Sequence, residues 1–376
     1  MNLLKFLFSK RNNPNPQNSS LYGLDHAILN IPIPPPSMWM NLGYWKNTND
    51  FPTACATLLD QVLITAGLLD ETGNGNGNGS AFPVSVQQHP PTRRFRLLDV
   101  GIGCGDQSVR VLNYMRGDDE PLFDSYVGIT TLPVQAAYAS RRIEALQDRT
   151  GTTTATNHGK ETILKHKAKI FCADAASPRL WPKEIHSSLA PAQHQDSIST
   201  VASTTSIDIK TEKEKEKGGE KEEEPWFLAL DTLYHFHPSR LPLFTYTNST
   251  LQANIMAFDL LLPSPSSSTT APLSLITRLL LRLICLLTGA PYSNFLTQAQ
   301  YTALLVQAGY DPEKIVFRDI SEDVFAGIAG YIRQREGLLK GYGLGKGMGK
   351  FRGARVVFDW WARTGVVTGV IVVARV

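Results

Sequence analysis

Leu97-Leu98-Asp99-Val100-Gly101-Ile102-Gly103-Cys104-Gly105-Asp106 sets the architecture of the chain. An apolar run of strand character ends in an acid, and three glycines then occupy every second position. A backbone without Cβ atoms turns sharply and lets a ligand come close. Residues 106–115 read as a helix whose free N-terminal amides face the same crevice. The spacing differs from the dinucleotide fingerprint G-x-G-x-x-G, because the third glycine comes one residue early. It also lacks the lysine and hydroxyl of a phosphate loop. Set between a strand and a helix, these glycines point to a nucleotide-like pocket beyond the carboxyl end of a sheet strand. The plain alternative is a tight turn with no ligand.

Outward from this turn, strands and helices alternate. Residues 96–100, 125–129, 168–172, 226–230 and 315–319 read as strands. Helices are expected at 133–146, where Arg141 and Arg142 complement the dipole, and at 297–308 and 324–339. Asp50 caps a further helix over 50–69, with Pro52 in its first turn. Residues 251–262 read as mostly helical. The segments 356–361 and 366–373, joined by Arg363-Thr364-Gly365, read as a closing hairpin. The glycine- and lysine-rich stretch 341–349 follows no strand, so it is no phosphate loop. The pattern is that of an α/β doubly wound, mostly parallel, seven-stranded sheet with an antiparallel C-terminal hairpin and helical cover elements.

The chain has 376 residues, of which 42% are apolar, enough for one large core. Residues 1–37 read as an irregular arm and 38–376 as a single domain. Low-complexity inserts fall at 71–92, 186–224 and 263–271, and a helical cover segment lies near 273–308. The net charge is +3, too diffuse to argue for nucleic acid. Four cysteines lack metal-ligand spacing, so no metal is expected, and a reducing compartment fits. No secretory signal is read at the N-terminus, and a cytoplasmic location is expected. In 273–288, Arg278 and Arg282 interrupt an apolar run on one face. That segment either covers a substrate pocket or lies on a membrane surface. Oligomeric state is not legible.

Several residues near strand ends carry chemistry. Asp99 either orders the glycine loop or accepts from a ligand amine. Asp174, with Ala175 after it, follows a strand directly and suits an adenine amino group; its plain alternative is a helix cap. Asp231 ends another strand, and Tyr234 and His235 follow it. His235 suits a general base or a positioning donor, or else simply packs.

From about residue 40 to the C-terminus the chain resembles the class I S-adenosylmethionine-dependent methyltransferases, whose fold is Rossmann-like. Leu97 to Gly105 is similar to their first motif, and Asp231 falls at their fourth-strand motif. Asp174 falls where their adenine-contacting acid lies. Asn41-Leu42-Gly43-Tyr44-Trp45 and Gly128-Ile129-Thr130-Thr131-Leu132-Pro133-Val134-Gln135 resemble the small-molecule branch of cyclopropane fatty acid synthases, tocopherol methyltransferases and alkaloid N-methyltransferases. The inserts resemble those of fungal proteins.

The resemblance implies S-adenosylmethionine as cofactor and methyl transfer to a small, hydrophobic substrate. It implies cofactor contacts from Tyr44, Trp45, Asp99, Gly101, Gly103, Gly105, Thr130, Gln135, Asp174, Ala175 and Asp231. His235, Tyr234 and Tyr44 are the catalytic candidates. Thr130 stands where many members carry a ribose-binding acid, so ribose contact would pass to its hydroxyl and to Gln135. The alternatives are cyclopropane formation on a lipid and a non-catalytic cofactor-binding scaffold. The glycine spacing disfavours a dinucleotide oxidoreductase.

Overall fold

The apolar run before the glycines forms the central strand, β1 (Arg93–Val100). It pairs in parallel with β2 (Ser125–Thr130) on one side and β4 (Glu222–Leu230) on the other. In the computed structural model, residues 31–71, 84–86, 93–116, 120–151, 167–191, 222–263 and 274–376 are described. The remaining sheet strands are β3 (Lys167–Cys172), β5 (Asn254–Leu262), β6 (Ile315–Asp319) and β7 (Thr368–Ala374). The order across the sheet is β3-β2-β1-β4-β5-β7-β6, and a two-residue strand, Leu296–Thr297, adds to β5. β7 is antiparallel to both β5 and β6, while the β3-to-β5 pairs are all parallel.

Alternate side chains of β1 enter opposite cores. Phe95 and Leu97 join the cluster under α1 (Phe51–Thr65), α8 (Phe325–Gly341) and α9 (Gly349–Thr364). Leu98 and Val100 join the cluster under α4 (Lys183–Leu189), α5 (Leu241–Ser249) and α7 (Gln298–Gln307). Both faces are therefore covered, as a mostly parallel sheet requires. Three further helices complete the fold: α2 (Asp106–Leu112), α3 (Pro133–Gly151) and α6 (Leu275–Thr288). Asp50 caps α1 by accepting from the Thr53 amide, a cap worth about 1 kcal/mol. The Arg110 guanidinium grips Asp60 from two nitrogens at 2.9 and 2.6 Å, tying α2 to α1.

Four expectations are corrected. Residues 254–262 form β5 rather than a helix. The run Ile255-Met256-Ala257-Phe258 is buried on both faces, and buried parallel strands show no alternation to distinguish them from buried helix. Residues 356–361 belong to α9, so no hairpin forms there. β7 instead slots between β5 and β6, with α8 and α9 intervening in the chain before it. The β-branched and aromatic content of that segment mimics a strand. Phe358 and Trp361, one helical turn apart, pack together on Phe325, which only helical spacing allows.

The second insert is also narrower than 186–224, since α4 runs to Leu189 and β4 begins at Glu222. Glu223 and Glu224 extend β4 because they pair with Arg96 and Arg93 of β1 at 3.2 and 3.3 Å. Finally, α2 ends at Leu112, and Met115–Arg116 pairs with Glu120–Pro121 as a short ribbon. Most of the arm, with the larger parts of all three inserts, lies outside the described residues.

Candidate active site

The loops at the carboxyl ends of β1 to β4 enclose a cavity of about 500 Å³, where open α/β sheets take their ligands. Its floor is the glycine turn. Gly101 and Gly103 line it; Gly105 does not. Gly101 (φ +75°) is required by packing, since a Cβ there would sit 2.6–2.7 Å from the Thr232 side chain. Gly103 (φ +55°) differs: a Cβ would meet only Met40 Sδ, at 3.7 Å. Its side-chain space is open. Gly105 instead lies against Ala139 of α3, fixing how α2 and α3 meet.

Asp99 is fully buried and does not line the cavity. Gln107 Nε2 donates to one carboxylate oxygen at 2.7 Å, and the Tyr126 hydroxyl donates to the other at 2.7 Å. Of its two expected roles the geometry supports ordering the loop. Desolvation pushes its pKa up to about 7, against the lowering effect of both hydrogen bonds.

Thr130 and Gln135 line the cavity, and the Thr130 hydroxyl donates to Gln135 Oε1 at 2.9 Å. Asp174 and Ala175 line it as well. The Asp174 carboxylate accepts from the Ala176 amide at 2.9 Å and the Ser177 hydroxyl at 3.1 Å. It builds a local turn ahead of the short helix Pro178–Leu180, whose cap position is Ser177, while remaining exposed on the cavity wall.

Asp231 takes a left-handed backbone (φ +58°) after β4, a conformation costing a non-glycine residue roughly 1–2 kcal/mol. The turn aims its carboxylate so that it accepts from the Leu42 amide at 2.9 Å and the Tyr234 hydroxyl at 3.0 Å. Desolvation raises its pKa to about 7. Burial and the Asp231 charge hold the Tyr234 hydroxyl firmly protonated. His235 lies against Tyr234, with ring centroids 4.3 Å apart and the planes tilted by 44°. Desolvation, then the neighbouring His237, lower its pKa, which keeps the ring neutral.

The aromatic segment reaches the site differently from expectation. Tyr44 and Trp45 do not line the cavity; both are buried in the core. Trp45 lies against Gly327 of α8, where any Cβ would come within 2.1 Å of its ring, and its Nε1 donates to Leu42 O at 2.7 Å. Burying these large rings, Trp45 under α8 and Tyr44 in the main core, stabilises the fold more than exposing them to a ligand space would. Residues 38–41 close the cavity instead. The Met38 amide donates to Asp106 Oδ2 at 3.1 Å, and Met40 lies within 3.5 Å of Gln135 Nε2.

Two features were not anticipated. Asp106 lines the cavity and pairs with Arg142 of α3 at 2.7 Å, while Arg142 also donates to Cys104 O at 3.2 Å. This guanidinium, expected as a dipole complement, pins the glycine loop. The sequence signal was an arginine one residue along from an equally plausible one. The second feature is an apolar cavity of about 600 Å³ between α6 and α9. Tyr234 and His235 line both cavities and form their shared wall. It was illegible because α9 read as a strand.

No family model matches the chain, and no curated protein matches it significantly. Solved structures do. Mycolic acid cyclopropane synthase CmaA1, solved with SAH and CTAB, aligns over 89% of this chain and 90% of its own, at 11% identity and a TM-score of 0.51. The cyclopropane synthase MmaA2 from Mycobacterium tuberculosis aligns over 84% of each chain, at 11% identity and a TM-score of 0.48. The [4+2]-cyclase SpnF aligns over 94% of this chain and 93% of its own, at 18% identity and a TM-score of 0.46. The first of these likenesses shows a shared fold: the chain has the mostly parallel, helix-flanked sheet of CmaA1.

Proposed function

We propose that this chain is an S-adenosylmethionine-dependent methyltransferase acting on a small, apolar molecule. The observation that carries the reading is the wall of Tyr234 and His235 between a polar cavity at the glycine turn and an apolar cavity beyond it. The open space at Gly103 suits a ligand held against the backbone. CmaA1, of the same fold, was solved with SAH.

In this reading the glycine turn, Asp106 and Gln107 hold the cofactor's amino-acid end. Thr130 and Gln135 meet its ribose, and Asp174 and Ala175 its adenine. S-adenosylmethionine, when bound, supplies an electrophilic sulfonium methyl, so the protein's main task is alignment. His235, kept neutral, takes the acceptor's proton on a ring nitrogen. The Tyr234 hydroxyl is committed to Asp231, so it positions rather than ionises. Asp231 also fastens Leu42, which holds residues 38–41 over the cofactor. The apolar second cavity keeps competing water away from the acceptor.

Peripheral membrane contact belongs to the same proposal. Leu275, Ile276, Leu279, Leu286 and Leu287 of α6 are 63–79% exposed beside Arg278 and Arg282, a composition suited to a lipid interface. Among the described residues no helix is long and apolar enough to cross a membrane.

The test is incubation with methyl-labelled S-adenosylmethionine and a cell extract, with identification of the labelled product. Label in a small apolar molecule is expected. Failure to bind SAH in calorimetry, or label in no small molecule, overturns the reading. The second reading, cyclopropane formation, is favoured by an apolar cavity able to take an acyl chain. It is separated by proton NMR, which distinguishes a ring methylene from a transferred methyl.

A further inference from the structure

We infer that the apolar cavity takes an elongated apolar molecule bearing a carboxylate or phosphate, and that Lys350 anchors the anion. The inference rests on the proposed methyl transfer and narrows its substrate class.

Among the described residues, the two formal charges lining this cavity are both positive, Lys350 and Arg363, and no carboxylate lines it. Its other walls are almost entirely aliphatic and aromatic. Along α9, Lys350, Ala354, Val357 and Trp361 recur at helical spacing and form one stripe of the lining. Trp361 packs edge-on to Phe295 at 6.4 Å, and Phe295 lies 6.3 Å from Tyr234. The Trp361 end of the stripe is therefore the end toward Tyr234 and His235. Lys350 stands eleven positions away, about 16 Å along the helix axis. A ligand that meets both is long.

Among the described residues the Lys350 ammonium has no ion pair. Glu336, the acid bonded to the start of α9, is already held by Lys340 at 3.0 Å and Arg352 at 2.6 Å. Arg363 donates from Nε to its own helix, at Asp359 O, 3.0 Å away. An anion entering the cavity meets an unclaimed cation, whereas an amine meets two like charges, both on solvent-exposed side chains. The geometry selects against substrates that carry a cation at the distal end.

Trp360 and Trp361 line the cavity, so tryptophan fluorescence of the full chain reads binding. Four probes share one alkyl chain: laurate, lauryl phosphate, lauryl alcohol and laurylamine. Laurate or the phosphate should bind at least tenfold tighter than the alcohol and the amine, and the better of the two identifies the headgroup. Lys350→Ala should weaken that anion about tenfold, Lys350→Glu more, and Lys350→Arg should restore it. Equal binding of acid and alcohol, binding of no probe, or an unchanged Lys350→Ala overturns the inference. SAH calorimetry on the same samples keeps the two claims apart. SAH binding without anion preference refutes the substrate class alone, and loss of SAH binding in the wild type refutes the methyltransferase reading.

Discussion

Gly101 and Gly103 look alike in the sequence, yet alanine and leucine substitutions should separate their roles. Both have positive φ, so any L-residue costs roughly 1–2 kcal/mol. At Gly103 that is nearly the whole cost of Gly103→Ala, because the new Cβ meets only Met40 Sδ in ordinary contact. A melting temperature lower by about 1–3 °C is expected for a chain of this length. At Gly101 the Cβ would intrude to 2.6 Å from Thr232 Oγ1 and 2.7 Å from its two carbons. Thr232 or the loop must move, adding about 1–3 kcal/mol of overpacking. Gly101→Ala should therefore be the less stable alanine variant, measured by thermal and urea denaturation. Gly103→Leu should remain about as stable as Gly103→Ala, since its side chain extends into the cavity. Its SAH affinity in calorimetry should fall at least a hundredfold. Wild-type SAH affinity in Gly103→Leu, or equal stability of the two alanine variants, refutes the assignment of one glycine to packing and the other to ligand space.

Three further outcomes are expected. His235→Ala should lower kcat by more than tenfold with SAH affinity within about twofold of wild type; an unchanged kcat removes it from the chemistry. Asp99 keeps its proton to about pH 7 when folded, whereas in the unfolded chain it loses it near 3.9. The folded state thus binds more protons in that window, and stability falls as pH rises from about 4 to 7, on the order of 4 kcal/mol from this group. Asp99→Asn should flatten that decline in denaturation curves taken across the window, and parallel curves would contradict it. Leu279→Glu together with Leu286→Glu, both on the exposed face of α6, should abolish co-sedimentation with anionic phospholipid vesicles while leaving the melting temperature nearly unchanged. Undiminished co-sedimentation would count against membrane contact.

Much of the fold was legible because its signals are local. The run into Gly101, the strand–helix alternation and the Asp50 cap each lie within a few residues. The errors came where local signals are degenerate. Ile255 to Leu262 is apolar at every position except Asp259, so it offers no periodicity to choose strand over helix. That acid is neutralised by Arg240, at 2.9 Å, a partner nineteen residues away. Residues 356–361 carry strand-forming side chains, and only their fit on Phe325 makes them helical.

The candidate site divides along the same line. Side-chain type and position near a strand end singled out Gly101, Gly103, Asp174, Asp231, Tyr234 and His235, and the family resemblance added Thr130 and Gln135; all of them line the cavity, because a parallel sheet gathers such ends at one edge. Orientation is a different quantity, set by what lies across the fold. Tyr44 and Trp45 were expected over the cofactor, but α8, nearly three hundred residues along, takes the Trp45 ring, and Tyr44 is buried in the main core. Met38 to Asn41 cover the cavity in their place, held by Asp106 and Asp231. The apolar cavity is the extreme case. Its walls, α6 and α9, are some sixty residues apart in the chain. A space between two surfaces has no local signature, so it exists only once the chain has packed.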